Sequence, residues 1–396
     1  MMKTKRLPAI LMLLQTLFFY IPCSSQTLPN GQQLEYNPVL TAVPFLTITP
    51  DARHSAMGDA GAATTADANA QYWNGAKGIF AESTYGVSFS YAPWLTQLVK
   101  GINLSCLSGY YKLNANEVIG SSLRYFAIGD VQITDHTGTT ERTVSPNEFA
   151  FDIGYSRRLS EKWSGGVSMR YIRSDLSSGS SDYKSKAGNG FASDISFYYR
   201  KDWVGKNNQK SYRTFGIQVS NIGTKISYDN GRHEGFIPAN LRIGTGFGRK
   251  LAENHSVLFA IDINKLLVPT PKRVAGSNDN DEILVVTDSY SNQTSLEGIF
   301  SSFGDAPGGF GEELKEITAG FGAEYSFKEQ FMLRGGYFYE HPYKGNRNYF
   351  SAGIGVKVNA FGLDLSYLVP NGGANNAMSN TFHFTLTFCN DLTFKK

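Results

Sequence analysis

The sequence predicts an all-β fold: a transmembrane antiparallel β-barrel of about fourteen strands, with an N-terminal plug segment in its lumen. Three observations carry this expectation. From about residue 84 onward, apolar residues alternate with small or polar ones, as in Tyr85-Gly-Val-Ser-Phe-Ser-Tyr91, and that is the period of a strand. After the first 25 residues no stretch approaches the roughly 18 uninterrupted apolar residues of a membrane helix. The connections between the alternating segments are long and short by turns, an asymmetry typical of outer-membrane barrels, whose long loops face outside.

The first element reads as an export signal. Lys3, Lys5 and Arg6 form a positive n-region, and Ile10 to Ile21 is an apolar run too short to span a bilayer. Cys23-Ser24-Ser25 then offers small residues for cleavage before Gln26, so residues 1–25 form a signal peptide. Pro22 is a poor fit to a lipoprotein reading of Cys23. An exported chain without a membrane helix that sits in a membrane must do so as a closed barrel, because only helices and barrels satisfy the backbone in lipid. The expected location is the outer membrane.

Removing the signal takes three of the 37 basic residues and none of the 34 acidic ones, leaving 34 against 34. A neutral mature chain has no electrostatic footprint for nucleic acid, which excludes that partner. Cys106 and Cys389 are too few for a disulfide framework. Their strand positions put them roughly 20 Å apart along the barrel, so two free thiols are expected.

Residues 26–83 do not alternate. They contain Pro44, Pro50 and many alanines, with a short helix expected over Ala62–Ala70 and stopped by Tyr72-Trp73-Asn74-Gly75. Few charges and much Ala and aromatic content point to burial rather than disorder, so this segment reads as the plug.

Residues 84–396 form the barrel, with strands near 84–91, 101–113, 118–127, 148–158, 163–174, 190–201, 211–221, 238–249, 255–264, 316–327, 330–340, 347–358, 361–368 and 380–388. An even number puts both barrel ends on the periplasmic side. One face of these strands (Phe151, Ile153, Val167, Met169, Ile195, Phe197, Ile261, Phe321, Leu365) is free of charge and should meet lipid. The other carries Arg124, Asp152, Arg170, Asp194, Arg200, Arg242, Asp262, Glu324, Arg334, Lys357, Asp364 and His383. A charge facing mid-membrane lipid costs about 2–4 kcal/mol for Arg or Lys, so these residues point inward. Their signs nearly balance, which fits paired charges bracing a plugged interior better than an ion-selective pore.

Chemistry is sparse. There is no Gly-x-Ser-x-Gly elbow, and His233-Glu234 is not followed by a second zinc-ligand histidine. No catalytic, metal or cofactor residue is assigned, and the chain is not expected to be an enzyme. His383 reads as a hydrogen-bonding lumen residue. Gly244-Thr-Gly-Phe-Gly248 lies within a strand, where missing side chains make room for a plug rather than cradle a phosphate. Asn278-Asp-Asn-Asp-Glu282 lacks the glycine of a calcium loop and reads as a solvated acidic loop.

The loop at 265–315 is far longer than ordinary connections, and long loops are often functional. It contains the apolar runs Leu266-Leu-Val268 and Ile283-Leu-Val-Val286 and the segment Leu296–Phe303, with Phe310 after them. Ile299, Phe300 and Phe303 are expected on one face of a short helix. These residues either fold back over the barrel mouth or offer a docking surface; Leu284, Val285, Ile299, Phe300, Phe303 and Phe310 are the candidates for docking.

Phe45-Leu-Thr-Ile-Thr-Pro-Asp-Ala-Arg53, Ala56-Met-Gly-Asp-Ala-Gly61, Asp67 and Tyr72-Trp73-Asn74 together resemble the PorV family of the type IX secretion system. So do Ile237-Pro-Ala-Asn-Leu-Arg-Ile-Gly244 and Ser302-Phe-Gly-Asp-Ala-Pro-Gly-Gly-Phe310 with Glu312-Glu313-Leu314. Related barrels continue Trp-Asn with Pro-Ala, whereas Gly75-Ala76 follows here. The resemblance implies a FadL-like barrel whose plug includes Asp51, Arg53, Met57, Asp59, Asp67, Trp73 and Asn74. It also implies a shuttle that binds the C-terminal signal domain of secreted cargo. Such a protein would take cargo from a large outer-membrane translocon to a sortase-like surface attachment complex, among outer-membrane lipid and lipopolysaccharide. The alternative is a FadL-type channel for hydrophobic small molecules, which requires an apolar pocket.

Overall fold

The computed structural model describes residues 37–391 apart from 96–98, 135–136, 138, 177–185, 206–207, 272, 279–280, 287–291, 372–377 and 379–380. The signal-peptide expectation for residues 1–25, and Asp279 and Asn280 of the acidic run, lie outside the described residues.

Fourteen strands close into one antiparallel barrel among the described residues. They are β1 (Tyr85–Pro93), β2 (Ile102–Asn114), β3 (Glu117–Ile128), β4 (Asn147–Arg158), β5 (Trp163–Asp175), β6 (Gly188–Val204) and β7 (Lys210–Gly223). Then come β8 (Asn240–Ala252), β9 (His255–Leu266), β10 (Ile317–Phe327), β11 (Phe331–Tyr339), β12 (Tyr349–Val358), β13 (Phe361–Pro370) and β14 (Phe382–Asn390). Each strand pairs with its sequence neighbours. β1 closes on β14 from Tyr85↔Asn390 to Tyr91↔Phe384, which leaves no open edge. Every segment expected from the alternation is a strand, because a period of two separates a lipid face from a lumen face along its whole length. Phe89, Leu107, Phe151, Ile153, Phe321 and Leu365 stand outward and exposed, whereas Ser88, Ser122, Asp152, Arg170, Asp262 and Arg334 turn inward and are buried.

At one end the turns after β2, β4, β6, β8, β10 and β12 hold two to five residues. At the other end the loops are long, and three carry ribbons of their own: Val131–Thr134 with Thr140–Val144, Ile226–Ser227 with Glu234–Gly235, and Arg273–Asn278 with Asp281–Val286. The long-loop end is the extracellular one.

The N-terminal segment enters the barrel at that end and leaves at the other. Asn37 donates its backbone N–H to Tyr343 at 2.9 Å and Ala42 to Phe236 at 2.8 Å. Val43, Phe45 and Leu46 then pack on the inward Ala92, Leu104, Ala150, Ile172 and Ala192. The chain forms two single-turn helices, α1 (Ala52–Ser55) and α2 (Ala70–Trp73). It finishes with Ile79 and Ala81 against Tyr110 and Val118 near the turn end.

Irregular backbone in a closed lumen must find its hydrogen bonds in the wall or within its own segment. Asp262 accepts from the N–H groups of Gly61 and Ala62, both at 2.7 Å. Thr385 accepts from Ala52 N at 2.9 Å and Ser351 from Gly58 N at 3.0 Å. Ser108 donates to Ala68 O at 2.9 Å, Ser164 to Ala76 O at 2.7 Å and Tyr198 to Thr64 O at 3.1 Å. The wall glycines provide the approach distance. A Cβ on Gly216 would stand 2.1 Å from Ala62 O, on Gly320 2.3 Å from Gly58 O, and on Gly336 2.1 Å from Gly58 N. Gly244 and Gly246, singled out in the sequence, face Ala62 and Ala63 in the same way.

Related bonds explain why the helix expected over Ala62–Ala70 does not form, the single turn α2 lying instead across the Tyr72-Trp73 expected to stop it. The carbonyls of residues 61–64 are taken by Lys77, Asn74, Thr214 and Tyr198 and so are not free for an i+4 ladder. The inward charges join into two rows. On one wall Arg124 pairs with Asp152 at 3.3 Å, Asp152 with Arg170, and Arg170 with Asp194 at 2.8 Å. On the other, Arg53 of the plug pairs with Glu324 at 3.0 Å, Glu324 with Arg334 at 2.6 Å, and Arg334 with Asp364 at 2.6 Å. Arg200 pairs instead with Asp202 of its own strand, and Lys357 is exposed at a strand end. Cys106 and Cys389 are free thiols, and Cys106 is buried on the lumen face.

Gly336→Val forces the plug to shift, an overpacking cost of about 1–3 kcal/mol. In a Cys389→Ser background the variant barrel should still insert, while Cys106, protected in the parent, becomes reactive to a maleimide. A Cys106 that stays protected would mean that the plug seats regardless of this contact.

Candidate functional site

Two regions gather the residues singled out in the sequence. The first lies inside the barrel. Asp51 caps α1, accepting from His54 N at 3.1 Å and from His54 Nδ1 at 2.7 Å, and its other oxygen accepts from Trp73 Nε1 at 2.6 Å. Arg53 donates Nη1 to Asp67 at 2.8 Å and Nε to Glu324 at 3.0 Å, which ties the plug to β10. Met57 packs with Leu258 and Ala260 of β9. Asp59 accepts from the Tyr349 hydroxyl at 2.5 Å. Asn74 donates to Ala62 O at 3.2 Å and to Phe197 O at 3.0 Å. Asp51, Arg53, Met57, Asp59, Asp67, Trp73 and Asn74 therefore hold the plug to itself and to the wall.

Lys77 was not singled out in the sequence. It is wholly buried and donates to Gly61 O and Thr64 Oγ1, both at 3.0 Å. A lysine near the end of an alanine-rich run carries no signal of that burial. Asp51, His54 and Thr64 stand in a row with triad-like spacing, 2.7 Å and 2.9 Å, but all three are wholly buried and a substrate has no room beside them. Among the described residues no cluster of three or more His, Cys, Asp or Glu is placed to hold a metal ion.

Above the plug lies a cavity of about 340 Å³, lined in part by Arg124, Arg170, Arg242, Arg347, Asp59 and Glu340. Arg242 is held by Asn264 at 2.8 Å and lies over the Trp73 ring at 4.6 Å. The walls are mixed: these charged residues stand beside apolar surface from Pro38, Val39, Pro44, Leu46, Leu266 and Phe338.

The second region is the long loop between β9 and β10. Its sequence divides its own apolar residues. Leu267 and Val268 are buried against the barrel mouth. Beyond them, α3 (Ser295–Ser301) begins with a capping box: Thr294 Oγ1 accepts from Glu297 N at 3.3 Å and Glu297 Oε2 from Thr294 N at 2.8 Å. Gly298 lies against the barrel mouth, where a Cβ would stand 2.7 Å from Phe236. The opposite side carries Phe300, 76% exposed, with Leu296 also exposed and Ile299 half-buried. The helix ends at Ser301, so Phe303, 53% exposed, stands just past it rather than on the expected helical face. Phe310, 74% exposed, opens α4 (Phe310–Lys315). Leu284 and Val285 lie in the ribbon, opposite Ala275 and Val274.

An ionic cluster anchors this loop. Lys344 donates to Glu312 at 2.6 Å and to Glu316 at 2.9 Å; Lys265 donates to Glu313 at 2.8 Å and to Glu316 at 2.6 Å. Asn37 donates to Glu312 at 2.9 Å. Burial would raise the Glu312 carboxyl, but the Lys344 ammonium holds it below its ordinary value. Burial, reinforced by Glu313 and Glu316, pushes Asp305 up to about 6 against the opposing Thr270 backbone hydrogen bond and Lys265 charge. The acidic spacing of Glu312, Glu313 and Glu316 is visible in the sequence; the lysines that meet it, from β9 and the next loop, are not.

A search among curated proteins finds none that matches the chain. Solved structures similar to it include the Pseudomonas putida toluene transporter TodX, at 12% identity, covering 84% of this chain and 95% of that one with a TM-score of 0.45. A Pseudomonas aeruginosa FadL homologue is similar at 9% identity, covering 89% of this chain and 99% of that one, with a TM-score of 0.38. A family model described as type IX secretion system protein PorV matches residues 31–273, a span that takes in the plug and nine of the fourteen strands. With a match over more than half of its length, this outer-membrane barrel belongs to the PorV family of type IX secretion system proteins.

Proposed function

We propose that this chain binds the C-terminal signal domain of secreted cargo at the outer membrane and carries it from the translocon to a sortase-like attachment complex. On this reading it works without catalysis. Residues 1–25 are removed on export, 26–83 close the lumen, and the barrel from residue 84 presents the loops among lipopolysaccharide.

One observation supports the reading above the others. Exposed apolar side chains on the strands are accounted for by lipid, but Phe300, Phe303 and Phe310 belong to a loop. A loop that buries Leu267 and Val268 and leaves three phenylalanines in solvent is built to be covered by something else. The ionic anchor keeps this face in place, so a partner does not have to order it on binding. Ile299, Leu284 and Val285 would extend the contact. A channel for hydrophobic molecules needs an apolar pocket with an exit, whereas the cavity here sets four arginines and several carboxylates among its apolar surface and has the plug against it.

Deletion of the gene tests the role. Proteins that share a C-terminal β-domain should leave the cell surface and accumulate uncleaved in the periplasm; unchanged surface proteins together with lost uptake of a hydrophobic nutrient would support the channel instead. Phe300→Asp with Phe303→Asp should leave the barrel folded and inserted yet reduce cargo capture at least about tenfold, the loss of two aromatic anchors. Capture equal to the parent would move the contact elsewhere. Lys344→Met strips a cation from Glu312 and Glu316, a loss of about 3–5 kcal/mol when a buried pair is broken. Faster hydrogen exchange in residues 295–316, with unchanged exchange in the barrel strands, is the expected result.

A further inference from the structure

Outward side chains of a membrane barrel are apolar wherever they meet acyl chains. β6, β7 and β8 depart from this near the turn end. Lys201 of β6 stands directly opposite Arg213 of β7, two positions beyond the outward pair Tyr199↔Phe215 and therefore on the same face. Arg213 in turn faces Phe247 of β8, and Arg249, two residues on, is its diagonal neighbour on that face. Like charges placed directly opposite each other destabilise a sheet. Neither Lys201 nor Arg213 has a carboxylate within 4.0 Å among the described residues, and the neighbouring Asp202 is taken by Arg200 at 2.9 Å. Arg249 is steadied by Gln209, whose Oε1 accepts from Nε at 3.1 Å, and it too has no carboxylate partner among the described residues.

The surroundings fix the depth of this triplet. Tyr199 packs on Trp163 with ring centroids 5.0 Å apart, and Trp203 on Phe247 at 6.1 Å. Lys201 lies between Tyr199 and Trp203 on the outward side of β6. Aromatic residues in such a girdle mark the headgroup level of the bilayer. The turn end faces the periplasm, so this level belongs to the inner leaflet, which is made of glycerophospholipid.

We propose that Lys201, Arg213 and Arg249 form a binding site for the phosphate of an anionic glycerophospholipid in the inner leaflet. The two guanidinium groups offer planar forks that match phosphate oxygens, and the lysine ammonium adds a point charge. The aromatic rings beside them lie against the glycerol and upper acyl chains. The phosphate supplies the negative charge that the cross-strand pair lacks.

The test uses the full mature barrel, delipidated in detergent, then incubated with phosphatidylglycerol or phosphatidylcholine and examined by native mass spectrometry. The parent should retain phosphatidylglycerol in preference to phosphatidylcholine. Lys201→Gln with Arg213→Gln and Arg249→Gln should lose that preference by at least tenfold, given about fivefold for each basic side chain near an anionic headgroup. Lys201→Arg with Arg213→Lys keeps the charge and should retain the lipid, which separates recognition from a general fault in folding. Equal retention of both lipids by the parent, or undiminished phosphatidylglycerol on the triple variant, overturns the site. Displacement of the lipid by millimolar inorganic phosphate, with no effect of acyl chains on affinity, would overturn the assignment to a membrane lipid in favour of a free anion.

Discussion

The structure depends on one constraint: a largely non-helical chain fills a closed lumen, so its buried backbone N–H and C=O groups need partners in the wall or in the segment itself. This explains the inward composition of the strands. Ser108, Ser164, Ser351 and Thr385 are there as short donors and acceptors, Asp262 as a double acceptor, and Gly216, Gly320 and Gly336 as places where two backbones can touch. An apolar inward face would have sealed the barrel and stranded the plug. The two rows of ion pairs follow from the same constraint, because a charge at that depth is tolerated only when it is paired, as in the rows, or held by hydrogen bonds, as Lys77 and Asp262 are.

The barrel itself was legible in the sequence, because a period of two with one face in lipid leaves its mark on every strand. The side to which Asp152 or Arg334 points was equally legible, since lipid penalises the other side. Which charge meets which was not. Arg334 reaches across β12 to Asp364 because Gly355 leaves a gap between them, and that depends on strand stagger, which has no signature in residue order. The failed helix over Ala62–Ala70 shows local propensity giving way to context, with its carbonyls claimed by Lys77, Asn74, Thr214 and Tyr198. In the long loop, apolar content was visible but its direction was not. Leu267 and Val268 look inward and Phe300 outward, and no period distinguishes them.

The plug and the loop face are physically continuous. Asn37, at the start of the described lumen segment, donates to Glu312; Glu312 shares Lys344 with Glu316, and Glu316 shares Lys265 with Glu313. Gly298 rests on Phe236, whose carbonyl accepts from Ala42. The exposed phenylalanine face of the loop is therefore seated on the N-terminal segment as well as on the strands.

The path of that segment also restricts the order of assembly. It runs from the extracellular mouth, where Asn37 meets Tyr343, down to Tyr85 at the periplasmic rim, and β1 then seals against β14. A chain already closed at that seam would have to push its leading residues upward through a packed interior. Laying the segment along the open sheet while β1 and β14 are still apart avoids that passage. On such a route zippering from Tyr85↔Asn390 to Tyr91↔Phe384 would come last and join the strands of the barrel's longest sequence separation. A machine that inserts the protein that way would handle a filled sheet, not an empty cylinder.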